Sequence, residues 1–211
     1  MKEYFYFYGF EYKAKSCKMD FSKFKAALQR ANDCLDKWLA LQEAASKLFL
    51  NAGNILQRLP VLSDSRNFSS LPGAPQLQQL VLAKQTRALE AVFGRLQTNL
   101  SDLEGVVRSQ ERQVVEVWRL VGEGAGAEAC GAVQSGGSSV AQMVEAMEDV
   151  WRICRDDLAA RAACLSALTH TTSPRDFQQL HGALTSYTGL LPPSGSHPVV
   201  LLQSIAAATS R

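Results

Sequence analysis

The chain has 211 residues, enough for one domain or two small ones. Hydrophobic residues make up 46% and charged residues 20%, an ordinary globular balance that argues against wholesale disorder. The net charge of +2 provides no basic field for wrapping nucleic acid, and no stretch reaches the about 18 consecutive apolar residues needed to cross a bilayer.

Residues 1–18 differ in composition from the rest of the chain. They hold Tyr4, Tyr6, Tyr8, Tyr12, Phe5, Phe7 and Phe10, with Lys2, Lys13, Lys15 and Lys18 against Glu3 and Glu11. Glu11 interrupts the apolar run, no small-x-small cleavage site is present after it, and there is no Arg, so neither a secretory nor a mitochondrial signal is matched. The segment reads as a dispensable, non-globular leader upstream of Met19. The other reading is an edge-strand or membrane-touching tag.

The first long helix is predicted from Phe24. Leu28, Ala31, Leu35, Trp38, Ala45, Phe49, Ala52, Leu56 and Leu59 recur at spacings near 3.5, with Gln42 the polar position on the stripe. Asp20 or Ser22 can cap its start, and Pro60 is expected to stop it. Residues 60–75 read as a loop whose Leu62, Phe68 and Leu71 pack back on the helices.

The second stripe runs through Leu82, Leu89, Phe93, Leu96, Leu100, Leu103, Val107, Val114, Val117 and Val121, with Thr86 and Gln110 polar. Gln110 is either a register device or a mild defect. Gly94 and Gly105 lie off the seam, where close approach of a neighbouring helix is expected. Residues 122–138 hold six of the fourteen glycines and read as a flexible linker. No G-x-x-x-x-G-K-[ST] is present, so the glycines do not spell a phosphate-binding loop.

Ser139 with Gln142 makes a capping box for a third long helix, striped by Val140, Val144, Met147, Trp151, Cys154, Leu158, Leu165 and Leu168 and interrupted by Arg161. Its methionines read as core filler. Ser173-Pro174-Arg175-Asp176 is a further start signal, opening a short amphipathic helix with Phe177, Leu180, Leu184 and Tyr187. Gly189 and Pro192-Pro193 end it, and 199–205 is a last apolar run. The predicted fold is all-α: an elongated antiparallel helical bundle or coiled coil of three long helices plus one or two short C-terminal helices. Residues 19–121 supply the first two long helices, and 139–211 the rest of the same bundle.

Leu39, Leu50, Leu80, Trp118 and Val150 fall off the main seams, so part of this surface is expected to meet another subunit. The helix at 177–187 has the form of one that docks in a groove, and closing the bundle is the competing reading. Trp118, Phe177, Leu180, Leu184 and Tyr187 are therefore the candidate partner-binding residues.

No pattern for chemistry emerges. The five cysteines show no C-x-x-C spacing and read as free, mostly buried thiols; His170, His181 and His197 are not marked as partners of any of them. There is no G-x-S-x-G. Glu145, Glu148, Asp149, Asp156 and Asp157 lack an E-x-x-H pattern and read as a solvated helix face with Arg152 and Arg155 as ion partners. No catalytic residue, cofactor or metal is expected.

Lys84-Gln85, Ala88, Val92, Leu96, Leu100, Leu103, Val106, Val114, Val117 and Trp118 together resemble the long central helix of an animal ribosome-maturation factor. That family binds the AAA ATPases acting on pre-60S particles. Ser139-Val140-Ala141, Met143, Glu145, Asp149, Arg152 and Leu165-Ser166 are similar to its next helix. Trp38 and the Phe68, Leu71, Leu77 approach are similar too. The likeness covers roughly residues 24–190; Pro192-Pro193 departs from it and the leader has no counterpart. Lys37-Trp38 and the helix around 96–103 also resemble a cyclin-dependent-kinase-interacting protein, a partner subunit of the same assembly.

The resemblance implies a non-catalytic accessory subunit of a hexameric AAA ATPase complex in cytoplasm and nucleus. Such a complex strips a shuttling factor from pre-60S ribosomes and is linked to clearing replication machinery from chromatin. The implied partners are ATPase subunits and a second helical accessory subunit, with ribosome or chromatin reached indirectly. Neither membrane association nor sequence-specific nucleic-acid binding is expected. An unrelated coiled-coil tethering or cytoskeletal protein is the reading the stripes equally permit.

Overall fold

The computed structural model describes residues 20–123 and 139–186. The expectations for the leader, for most of the glycine-rich segment, for Tyr187 and for 199–205 lie outside these residues. Four α-helices and one short 3₁₀ turn account for the secondary structure, and no strand occurs among the described residues. They are α1 (Phe21–Ser63), α2 (Ala74–Glu123), α3 (Val140–Ala167) and α4 (Pro174–Ser186).

Asp20 starts α1: its Oδ1 accepts from the backbone N–H of Ser22 at 3.1 Å and of Lys23 at 3.2 Å, satisfying two of the donors a helix start leaves open. The stripe from Leu28 to Leu56, Gln42 included, is buried, and Leu59 is half-buried. Pro60 does not stop the helix, which continues to Ser63. A proline inside a helix removes one N–H and crowds the carbonyl four residues back. Here only the last turn is affected, and side chains satisfy its carbonyls. Ser63 Oγ donates to Leu59 O at 2.8 Å, Asn67 Nδ2 to Val61 O at 2.7 Å, and Gln78 Nε2 to Leu62 O at 2.9 Å.

The expected loop is therefore shorter, and part of it is the 3₁₀ turn Ser65–Phe68, capped by Asp64. Phe68 is buried, Leu62 is half-buried, and Leu71 faces solvent. Gly73 takes φ 72° just before α2 begins. A residue with a Cβ reaches that left-handed conformation only with strain.

α2 folds back antiparallel to α1. Arg30 meets Gln113 (2.8 Å), Cys34 meets Ser109 (3.4 Å), Leu41 O receives Asn99 Nδ2 (3.1 Å), and Leu62 O receives Gln78. One residue number falls as the other rises. At about 1.5 Å per residue, the fifty residues of α2 span about 75 Å. The helix ends at Glu123, two residues into the expected linker. Besides the predicted seam, α2 buries Val92, Asn99, Val106 and Leu120. Gly94 and Gly105 are exposed, with nothing within 4 Å of where a Cβ would stand. The expected close approach at these two glycines does not occur.

α3 begins with the predicted capping box: Gln142 N–H donates to Ser139 Oγ (3.2 Å) and Ser139 N–H to Gln142 Oε1 (2.9 Å). It lies antiparallel to α2, its start beside Trp118 and Val121 and the residues after its end beside Phe93. α4 returns along α1.

The apolar interior falls into two clusters. One joins Phe24–Trp38 side chains of α1 to Val114, Val117 and Val121 of α2 and to Val140–Cys154 side chains of α3. The other joins Phe49, Ile55 and Leu56 to Leu89, Leu96, Cys164, Phe177 and Leu184. Between them lie the buried polar residues Gln42, Asn99, Asp157 and Arg161.

Candidate partner-binding surface

Three of the buried polar side chains, Gln42, Asp157 and Arg161, are engaged with one another, whereas Gln110 on α2 has no hydrogen-bond partner. Arg161 Nε donates to Asp157 Oδ2 at 2.8 Å, and Gln42 Nε2 donates to the same oxygen at 2.5 Å. Asp157 and Arg161 side chains are 1% and 4% exposed, so the pair is withdrawn from water. This corrects the expectation that Asp157 belongs to the solvated acidic face. One turn from Cys154 on α3, it points inward and neutralises the arginine that interrupts the stripe. The other carboxylates behave as expected of a wetted face: Arg152 pairs with Glu148 (2.6 Å) and Asp149 (3.7 Å), and Arg155 with Asp156 (3.0 Å).

Cys34, Cys154 and Cys164 are free thiols. Burial pushes the Cys154 thiol up to about 12, with Gln110 beside it opposing part of that shift. Burial also raises Cys164. Thiols so shifted stay protonated at neutral pH and are poor nucleophiles. The two described histidines pack on aromatic rings. His170 meets Phe93 edge-on at 5.2 Å, and His181 stacks on Phe49 at 6.1 Å. No group of metal-binding side chains occurs among the described residues.

The candidate partner residues separate into two sets. Phe177 and Leu184 are buried in the second apolar cluster, and Leu180 is packed against it. Phe177 stacks on Phe49 with ring centroids 4.9 Å apart, and its ring sits where Gly53 leaves room. A Cβ on Gly53 would stand 2.3 Å from Phe177 Cε1. As placed, these three side chains serve the interior and are not free for a partner.

Trp118 is 48% exposed on α2. Leu50 at 49% and Leu80 at 69% are likewise open, whereas Leu39 packs against the core and Val150 is only 1% exposed. Val150 is therefore not part of the off-seam surface expected to meet another subunit; it is buried with Met143 and Ala146, beside the predicted seam of α3.

Trp118 borders a groove of about 220 Å³ between the end of α2 and the start of α3, with Val121, Ala141 and Val144 as its apolar lining and Glu145 and Glu148 on its α3 wall. Glu145, Glu148 and Asp149 share a helix face by their spacing. A second apolar patch, at the α1–α2 turn, exposes Val61, Leu71, Leu77 and Leu80. Of that patch, sequence reasoning singled out only Leu80 as surface for a partner. Leu77 and Leu80 lie on α2 before its first fully buried residue, Leu89, and that offset was the available signal.

The described residues thus form a helical protein whose distinguishing surface is apolar and aromatic. The family model for CA109-like proteins, described as ribosome biogenesis protein C1orf109-like, matches residues 21–196. The chain belongs to this ribosome biogenesis family. No curated protein matches it.

Proposed function

We propose that the chain is a non-catalytic adaptor subunit of a hexameric AAA ATPase complex. In this reading it supports release of a shuttling factor from cytoplasmic pre-60S particles, and replisome proteostasis on chromatin in the nucleus. Membership of a ribosome biogenesis family supports the ribosomal half. The resemblance of residues 84–118 and 139–166 to the ATPase-binding maturation factor supports the adaptor half. The carrying observation is Trp118, a large aromatic held half-exposed on a capped, well-packed helical body. Trp is the residue type that most often anchors a protein interface.

The helices would act as an elongated antiparallel bundle that holds a substrate near the ATPase. The physical contribution is effective concentration, with no bond made or broken by this chain. A second helical accessory subunit is the expected immediate partner, and ribosome or chromatin is reached through the complex.

Affinity capture of the tagged full chain from cells, read by mass spectrometry, tests this. AAA ATPase subunits and 60S proteins are expected, and Trp118→Glu is expected to deplete them. Recovery of tethering or cytoskeletal factors in their place would sink the adaptor reading.

A further inference from the structure

The groove beside Trp118 has a definite chemistry. Its volume of about 220 Å³ is below the about 300–1,000 Å³ typical of small-molecule sites. It accommodates a side-chain knob better than a cofactor. Its floor is aliphatic, from Val121, Ala141 and Val144, and Trp118 stands open at its edge.

Its α3 wall is acidic. Glu145, Glu148 and Asp149 occupy that face, and among the described residues the one guanidinium paired with them is Arg152, shared between Glu148 and Asp149. Glu145 makes no ion pair among the described residues. On the α2 side, Arg119 is held by both Glu116 (2.7 Å) and Glu123 (2.6 Å). Lys23 and Arg30 of α1 also act on Glu116, so the excess of carboxylates lies on the α3 face alone.

From this geometry we infer that the groove receives an amphipathic helix of a partner protein, one that presents an aliphatic side chain flanked by lysine or arginine. The knob enters between Trp118 and Val144, and the cations meet the unpaired Glu145 and the acidic face beyond it. This places and characterises the contact of the adaptor reading, and it rests on that reading for the existence of a protein partner. The pattern, an apolar anchor within a ring of complementary charge, gives affinity through the knob and selectivity through the rim.

The test uses the full chain and labelled peptides of about 18 residues, long enough to become helical on contact. One carries leucine and lysine at amphipathic spacing, and its counterpart carries glutamate in place of lysine. The lysine peptide is expected to bind more tightly by at least about tenfold. Trp118→Ala should remove that binding, and Glu145→Lys with Asp149→Lys should reverse the preference. Far-ultraviolet dichroism confirms that each variant stays helical.

Equal binding of both peptides, or binding unchanged by Trp118→Ala, overturns the inference. Trp118-dependent self-association in sedimentation assigns the groove to a second copy and overturns it as well. So does lysine-peptide binding that emerges only when residues 1–18 are removed, because the groove then belongs to the chain's own segment. Failure to capture AAA ATPases while the peptide results hold defeats the adaptor reading and leaves the groove assignment standing.

Discussion

Three glycines on two long helices make opposite demands. At Gly53 the Phe177 ring lies 2.3 Å from where a Cβ would be, whereas Gly94 and Gly105 have open space. Ala in a helix interior is favoured over Gly by about 1 kcal/mol, so Gly94→Ala and Gly105→Ala should each raise the thermal midpoint by about 2–4 °C. At Gly53 the same gain is outweighed by overlap with a stacked ring, an overpacking cost of about 1–3 kcal/mol. Gly53→Ala should lower the midpoint, and Gly53→Ala combined with Phe177→Leu should recover part of it. Calorimetry on the four variants checks the signs. A lowered midpoint for Gly94→Ala would show that something covers that face.

Cys154 allows a pH test. Its thiol has an ordinary value of 9.0 and is pushed up to about 12 in the folded chain. The unfolded chain ionises first, so this group's contribution is fully present below about 9 and is lost as pH rises toward 12. Cys154→Ala should therefore flatten the stability decline over that alkaline window relative to the unaltered chain. Denaturant unfolding at stepped pH reads the difference, and parallel curves for the two proteins would refute the assignment.

Among the elements, α4 depends most on tertiary packing. Thirteen residues are too few for a helix to persist alone in water. Ser173 and Asp176 cap its start, with Asp176 N–H donating to Ser173 Oγ at 3.1 Å, but Phe177 and Leu184 attach it. Phe177→Ala should cost about 3–5 kcal/mol and leave α1 to α3 helical. A near-wild-type midpoint, measured by dichroism, would mean that α4 is not part of the stable core.

The start caps of α1 and α3 and the apolar seams of α1, α2 and α3 were legible in the sequence, because each rests on local spacing. The docking of α4 was not decided there. An amphipathic helix looks the same whether its face meets its own chain or another, and only the notch at Gly53 distinguishes them. Pro60 misled for a related reason. Its local rule forbids continuation, but Ser63, Asn67 and Gln78 satisfy the carbonyls around it from positions that no periodicity connects. The inward turn of Asp157 was hidden likewise, since its partner Gln42 is 115 residues away.

For the whole molecule, the division between interior and free surface predicts different fates for two similar substitutions. Leu100 is buried and Trp118 is not. Leu100→Glu places an unpaired charge in the interior, which costs several kcal/mol, and should unfold the chain. Trp118→Glu should keep helicity and lose the partner. Dichroism together with a capture assay separates them, and a common outcome would show the interior to be wrongly drawn. Of the candidate surface, Trp118 was legible from its offset from Val117 and Val121. The acidic face of α3 was legible from its spacing, but its position opposite Trp118 was not, because that exists only once α3 folds back onto α2.

The Gln42–Asp157–Arg161 layer has a consequence for how the molecule opens. It interrupts the apolar interior at mid-length, where two buried clusters spanned by the same helices adjoin, and each cluster is expected to open as its own cooperative unit. Native-state hydrogen exchange should then resolve two isotherms, amides around Trp38, Val117 and Met147 opening with one free energy and those around Phe49, Leu96 and Cys164 with another. Substituting Gln42 and Asp157 by leucine and Arg161 by methionine together would fuse the apolar clusters. The two isotherms should merge into one, and the halves of this 23.0 kDa chain would lose the capacity to open separately.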